Sequence, residues 1–323
     1  MTTNSLQPLD QILYPKIEPN RSGHIKVDSN HEIYWEESGN PVGSPVITIH
    51  GGPGGGSSPT GRRFFDPEHY RIIQFDQRGC GQSRPFGSLE NNTTDKLISD
   101  INFLSDSLDI KTFHVFGGSW GSTLSLAYAQ AFPERCKSLT LRGIFMMRKE
   151  EIDWFMTGMG NFFPEAFDEF ASVFSDTAHD QLLEVFYKAL TADDIELRNK
   201  AALAWSRFEA TCCTLLPNPE VVAGCDNPEF AYSISLLEAH YFLHNRFQPD
   251  DALLQNVGRI RHIPARIIQG RYDVVCPPKT AYDLKKAWPE AELYMIADAG
   301  HSSIEPGIAK ALIESTNHFK HIS

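Results

Sequence analysis

Short apolar, β-rich runs recur through the first half of the chain, at residues 25–27, 33–35, 46–49, 72–75, 113–116 and 139–141, most with Gly, Pro, Asn or Asp close by. Runs of this length bounded by turn formers predict strands. Between them, residues 96–108 and the segment after Ser119 predict helices, the second because Leu124, Ala127, Tyr128 and Ala131 recur at helical spacing. Hairpin-like strands followed by strand–helix alternation predict an α/β fold, with a mostly parallel central sheet covered by helices on both faces.

From about residue 147 to residue 247 the texture changes, and aromatic-rich amphipathic stretches replace the strands until residues 265–269 and 293–296 resume the earlier pattern. The expected organisation is a core made of residues 1–146 and 248–323, with residues 147–247 inserted as a helical cap. A cap interrupting a sheet sits above one edge of it, where clefts for small ligands form. There is no internal repeat and no low-complexity segment.

With 323 residues and 41% hydrophobic content, the chain can bury a large core. Its formal charge of −12 and lack of a long basic cluster exclude the phosphate neutralisation on which nucleic-acid binding depends, and mildly favour cationic substrates. The six cysteines form neither a CxxC pair nor a metal-ligand spacing, so reduced thiols are expected rather than a disulfide framework or a zinc site. The first thirty residues lack an apolar signal-peptide core and include Asp10, Lys16, Glu18 and Arg21. No apolar run approaches the ~20 residues that span a bilayer. A cytoplasmic enzyme with no membrane partner is the expectation.

Gly117-Gly118-Ser119-Trp120-Gly121 directly follows the apolar run 113–116 and directly precedes the helical pattern. G-x-S-x-G in a strand–turn–helix setting is the nucleophile elbow of α/β-hydrolases, in which small residues permit the sharp turn and the serine hydroxyl is exposed at a helix N-terminus. The Trp120 amide is a candidate oxyanion donor. His50-Gly51-Gly52-Pro53-Gly54-Gly55-Gly56, after the run 46–49, lies where such hydrolases place their second donor, here the Gly52 amide. No Lys-Ser or Lys-Thr follows, as a phosphate-binding loop would need.

A serine needs a base, and the base an orienting acid. Asp273, after the run 265–269, and His301, after the run 293–296, complete the chain order Ser, Asp, His expected of this fold. Asp298 is the rival acid, but it sits three residues before the histidine, where it would terminate a strand. The expected chemistry is ester or amide hydrolysis through an acyl-enzyme, with no metal or organic cofactor required. Serine at a position that carries aspartate in dehalogenases and epoxide hydrolases argues against those reactions.

Two glutamates stand apart in the insertion. If residues 233–242 are helical, Glu238 shares a face with Ile234, Tyr241 and Phe242, and Glu209 likewise with Trp205, Cys212 and Cys213. A carboxylate in an apolar stripe is costly unless a cation meets it. One cation is a substrate ammonium group; the alternatives are Arg207 or Arg246, backbone groups, or solvent.

His50-Gly51-Gly52-Pro53-Gly54, Asp76-Gln77-Arg78-Gly79-Cys80-Gly81, Gly117-Gly118-Ser119-Trp120-Gly121, Gly270-Arg271-Tyr272-Asp273-Val274-Val275-Cys276 and Gly300-His301-Ser302 together resemble the bacterial-type proline iminopeptidases, and the likeness spans nearly the whole chain. The resemblance implies release of N-terminal proline from peptides with a free amino end, the triad falling on Ser119, Asp273 and His301. It further implies that Glu209 and Glu238 bind the substrate's amino end, that Arg142 braces them, and that Phe145 and Phe242 help form the proline pocket. Phe155 stands where some relatives have tyrosine. Two other readings use the same residues: a carboxylesterase acting on uncharged substrates, and a hydrolase-fold binding protein, whose usual mark would be a missing triad member.

Overall fold

Residues 8–322 are described by a computed structural model of the chain; the first seven residues of the segment read above as lacking a signal-peptide core lie outside them. A short helix α1 (Leu9–Ile12) precedes eight strands in a single sheet: β1 (Arg21–Lys26), β2 (Glu32–Gly39), β3 (Ser44–Ile49), β4 (Tyr70–Phe75), β5 (Phe113–Ser119), β6 (Cys136–Ile144), β7 (Ala265–Gly270) and β8 (Glu292–Ile296). Their spatial order is β1-β2-β4-β3-β5-β6-β7-β8. The β1–β2 and β2–β4 pairs are antiparallel, and every later pair is parallel.

The strands read as near-continuous apolar runs because both faces of the sheet are covered. Neighbouring residues point to opposite sides, and the double-isoleucine pairs show it. Ile47, Ile73 and Ile267 join one core with α2 (Thr94–Ser107) and α3 (Trp120–Ala131), whereas Val46, Ile72 and Ile268 join a second with residues of α12 (Pro306–Phe319). Each predicted strand overlaps an observed one. The observed strands run further mostly because polar residues at their ends pair through the backbone.

Between β6 and β7 the chain forms α4 (Lys149–Met156), α5 (Pro164–Ala171), α6 (Leu182–Leu190), α7 (Ile195–Cys212), α8 (Pro219–Gly224), α9 (Pro228–Leu243) and the short α10 (Ala252–Gln255); α11 (Pro278–Ala287) links β7 to β8. Aromatic packing holds the inserted helices together: Phe170 stacks on Phe186 at 4.4 Å and on Phe208 at 4.8 Å, and Trp205 is fully buried among them. Their apolar side chains merge with the α2–α3 side of the core. Polar tethers add direction. Ser233 donates to the Gly54 carbonyl at 2.9 Å, Tyr241 to Asn92 at 2.9 Å, and Trp154 to the Val274 carbonyl at 2.7 Å.

Arg246 clasps both connections of the inserted block. It is fully buried, and its guanidinium donates to the carbonyls of Met146 and Met147, where the chain leaves the sheet, and of Pro249 and Asp250, where it starts back. Neither it nor Arg207, which pairs with Asp226 at the surface, meets the two glutamates. Arg246→Met keeps the bulk of the stem and removes every donor. It should lower stability by about 3 kcal/mol or more, read as a fall in the urea midpoint at unchanged m-value, because the carbonyls of buried Met146 and Met147 lose their partner.

Candidate active site

Ser119 ends β5 and caps α3 with φ 58° and ψ −130°. A non-glycine residue in such a region costs of order 1–3 kcal/mol and persists only where packing over-determines it. The packing here is the approach of α3 to the sheet. A Cβ at Gly121 would collide with the Ile49 carbonyl, and one at Gly117 with the Gly121 carbonyl and the Ser125 hydroxyl, so no side chain fits on either side of the turn. The helix begins at Trp120, whose amide is among the N-terminal donors without a helical acceptor. The glycine loop after β3 passes over the serine: a Cβ on Gly51 would stand 3.4 Å from Ser119 Cβ.

The loops after β7 and β8 bring Asp273 and His301 together. His301 Nδ1 lies 2.8 Å from Asp273 Oδ2, while the other carboxylate oxygen accepts from the Cys276 amide at 2.8 Å. Gln269, which sequence reasoning missed, donates to Asp273 Oδ2 at 3.0 Å and to the Cys276 carbonyl at 2.9 Å. Its signal was a polar residue at the buried end of an apolar strand. The rival Asp298 is exposed and makes no bond to the histidine. Burial pushes the His301 imidazole below its usual pKa against the pull of Asp273, with Arg142 lowering it further, so the ring is neutral with its proton on Nδ1.

Arg142 sits elsewhere than expected. It makes no bond to Glu209 or Glu238; its Nη1 lies 3.0 Å from His301 Nε2 and donates to the His301 carbonyl at 2.8 Å. The cause is the register of β6: Arg142 pairs with Gly118, over whose open face the guanidinium lies, and both belong to the wall of a cleft of about 360 Å³ beside the elbow. Arg142, not the Ser119 hydroxyl, occupies the Nε2 lone pair. The Cys276 thiol lies against Ser119, and burial beside Asp273 holds it protonated, so it is no competing nucleophile.

Glu209 on α7 and Glu238 on α9 meet as a carboxyl pair. Both are buried and hydrogen-bonded to each other, and Trp205 donates its indole N–H to Glu238 at 2.6 Å. Among the described residues, no arginine or lysine ion pair reaches either. Burial raises the Glu209 carboxyl to about 7, and Glu238, buried beside it, is held well above the carboxylate range. Near neutral pH the pair therefore retains a proton, and it has room in its charge balance for a cation.

An aromatic wall adjoins the pair. Phe242 packs edge-on against Phe145 at 6.1 Å and Phe155 at 5.2 Å, and Phe155 lies 5.6 Å from Trp205, the residue bonded to Glu238. The His301 loop is itself tied to the inserted helices. The amides of His301 and Ser302 donate to the Cys213 carbonyl at 3.0 and 2.9 Å, just past the end of the helix that carries Glu209. Glu305 accepts from the amides of Gly300 and Leu215 at 2.8 and 2.9 Å. Each of these links has a backbone group at one end or both, and backbone partners leave no mark in the sequence.

The family model for the alpha/beta hydrolase fold matches residues 44–307. Over 311 residues the chain is 49% identical to a proline iminopeptidase of Arabidopsis thaliana, covering 95% of this chain and 82% of that one. A probable proline iminopeptidase of Leptolyngbya boryana is 50% identical over 95% of this chain and 96% of its own, and a proline iminopeptidase of Xylella fastidiosa 46% identical over 95% and 99%. Among solved structures, a putative aryl esterase from Burkholderia cenocepacia superposes with a TM-score of 0.64 at 19% identity over 93% of this chain and 99% of its own. A 2-hydroxy-6-oxo-6-phenylhexa-2,4-dienoate hydrolase from Rhodococcus does so with 0.63 at 18% over 93% and 98%. At that identity the likeness is one of fold.

Two outcomes follow from this geometry. Asp273→Asn should lower kcat by about 10⁴-fold while Asp298→Asn stays near wild type, in parallel hydrolysis assays. The raised Glu209 carboxyl also makes stability pH-dependent. Its contribution is complete below the ordinary carboxylate range and is lost as pH rises through about 7. Glu209→Gln should therefore melt progressively above wild type as pH is raised from about 5 to about 8, followed by thermal unfolding.

Proposed function

As the chain belongs to the proline iminopeptidase family of α/β-hydrolases, we propose that it releases N-terminal proline from peptides as a serine aminopeptidase, through an acyl-enzyme on Ser119. The observation that carries the reading is the buried Glu209–Glu238 pair, which meets no cation among the described residues. A peptide's protonated amino end supplies that cation, displaces the retained proton and donates two charge-assisted hydrogen bonds, one to each carboxylate. An ester substrate has no use for such a pair.

The remaining roles follow from where the groups stand. The proline ring lies against Phe242 and Phe145 of the aromatic wall. Phe155 keeps its side of that wall free of hydroxyl groups. With the amine held in the cap of residues 147–247, the scissile carbonyl faces Ser119. Entry of the substrate passes the His301 Nε2 lone pair from Arg142 to the serine hydroxyl, while the Arg142 bond to the His301 carbonyl can persist. His301 then takes the serine proton, Asp273 stabilises the imidazolium, and the Gly52 and Trp120 amides bind the oxyanion. His301 returns the proton to the leaving amine, and water, activated in the same way, cleaves the acyl-enzyme.

All six cysteines are free thiols. That fits a reducing compartment, and we place the enzyme in the cytoplasm. Among the described residues, no helix is long and apolar enough to cross a membrane.

The test compares a proline arylamide, its N-acetylated counterpart and a simple aryl ester on wild type and Ser119→Ala. Rapid, Ser119-dependent cleavage of the free-amine arylamide but not the acetylated one is expected; ester cleavage alone would move the function to an esterase. Glu238→Gln should lower kcat/KM on the free-amine arylamide by about 100-fold or more and leave the ester almost untouched, as befits loss of one partner in a buried charge pair.

The pH profile discriminates as well. Glu209 must lose its proton to hold an ammonium group, so the acid limb of kcat/KM for the arylamide should fall near pH 7. For the ester it should fall lower, where His301 titrates. The basic limb for the arylamide belongs to the substrate amine, at a typical pKa of about 8. An arylamide rate still rising well above about pH 9 would sink the ammonium-binding reading.

A further inference from the structure

The Asp76-Gln77-Arg78-Gly79-Cys80-Gly81 motif after β4 supplies nothing to the triad or to the carboxyl pair. Much of it is structural: Arg78 forms a buried bidentate pair with Asp100 at 2.6 and 2.7 Å, and Asp76 gathers Ser57 and the Gln82 amide. Gln77 is different. It is 2% exposed, and its side-chain amide stands between the two segments that carry the oxyanion amides. Its Nε2 donates to the His50 carbonyl at 3.0 Å, and its Oε1 accepts from the Trp120 indole at 2.8 Å. An indole nitrogen only donates and a carbonyl only accepts, so the orientation of the amide is fixed by its partners.

The backbone of the same residue makes a third bond, from the Gln77 amide to His50 Nε2 at 3.0 Å. His50 Nδ1 lies 2.9 Å from the Gly51 carbonyl. Burial pushes this imidazole below its usual pKa, so the ring is neutral, protonated at Nδ1, and donates to Gly51. With that proton in place, the Gly56 amide 3.2 Å away finds no lone pair on Nδ1. The loop bearing Gly52 is thus held by Gln77 on one side through His50, and the start of α3 on the other through Trp120. Trp120 is pressed from above by Tyr241 of α9, with ring centroids 4.7 Å apart.

We propose that Gln77 is a positioning residue for the oxyanion hole, its one side-chain amide setting the separation between the Gly52 loop and Trp120. This rests on the reading of those two backbone amides as the oxyanion donors. No other common side chain of that length offers a fixed donor and a fixed acceptor together; a carboxylate accepts at both ends, and a thioether donates at neither. Protonated glutamic acid is the exception, because its O–H can donate to His50 while its carbonyl oxygen accepts from Trp120.

The experiment measures kcat and KM for the proline arylamide and for the aryl ester, with Gln77→Met and Gln77→Glu beside wild type. A phosphonylating reagent counts folded, reactive sites. For Gln77→Met, kcat per titrated site should fall about 10- to 100-fold on both substrates, with KM within about twofold, because the oxyanion is common to both reactions and the amine site is untouched. For Gln77→Glu, the ratio of its kcat to that of wild type should lie near one at the acid end of the profile and fall as pH rises and the carboxyl ionises. A Gln77→Met enzyme whose kcat stays within about twofold of wild type overturns the proposal, as does a loss carried by KM or a Gln77→Glu ratio flat with pH. Should Gln77→Met fail to fold, the pH dependence of Gln77→Glu decides alone. If wild type cleaves the ester but not the arylamide, the aminopeptidase reading fails, and the ester series still judges Gln77.

Discussion

The site hangs from the absence of any side chain between α3 and the strand beside it. Because Gly121 lies directly under the Ile49 carbonyl, and Gly117 under Gly121, the helix can start within one residue of the end of β5. Ser119 then has no relaxed conformation available and is held at φ 58°. From that one close contact follow the exposure of the serine hydroxyl, the helix N-terminus beside it, and the position of Trp120, which reaches Gln77 on one side and Tyr241 on the other. Arg142 over Gly118 is a further consequence, since the bare backbone at that position is what lets a guanidinium reach His301.

A second constraint works against stability. Three arginines are candidates to neutralise or brace the carboxyl pair, and each is engaged elsewhere: Arg207 with Asp226, Arg246 with four carbonyls, and Arg142 with His301. The pair is left to a retained proton. Buried ionisable groups without a resident countercharge are the kind of local inconsistency that folded proteins tolerate at functional sites and compensate elsewhere. Here the compensation is visible in the helices between β6 and β7, in the stacked Phe170, Phe186 and Phe208 and the fully buried Trp205.

The carboxyl pair and the loop of His301 are also mechanically joined. Glu209 lies on α7, and just beyond that helix the Cys213 carbonyl holds the amides of His301 and Ser302. Glu238 lies on α9, whose Tyr241 packs on Trp120. Each half of the carboxyl pair thus rides on a helix tied to the surroundings of Ser119 or His301, so the distance between the pair and Ser119 is set by packed helices rather than by a flexible loop.

By itself the sequence determined the strands, the elbow, the order Ser119, Asp273, His301 and the candidacy of Glu209 and Glu238, because each is a local matter of apolar periodicity, of turn-forming glycines, or of a charge set in an apolar helical face. Tertiary structure alone decided which partners those groups meet. Asp273 rather than Asp298 reaches His301, since the loop after β7 turns inward while Asp298 faces solvent. Arg142 goes to the histidine instead of the glutamates because the parallel register of β5 and β6 sets it opposite Gly118. Gln269, the Cys213 carbonyl and Gln77 enter the site only through hydrogen bonds to residues distant in the chain or to backbone groups. Periodicity reports which face of an element is buried; it carries no information about what lies across the gap, and that is settled by how the elements pack.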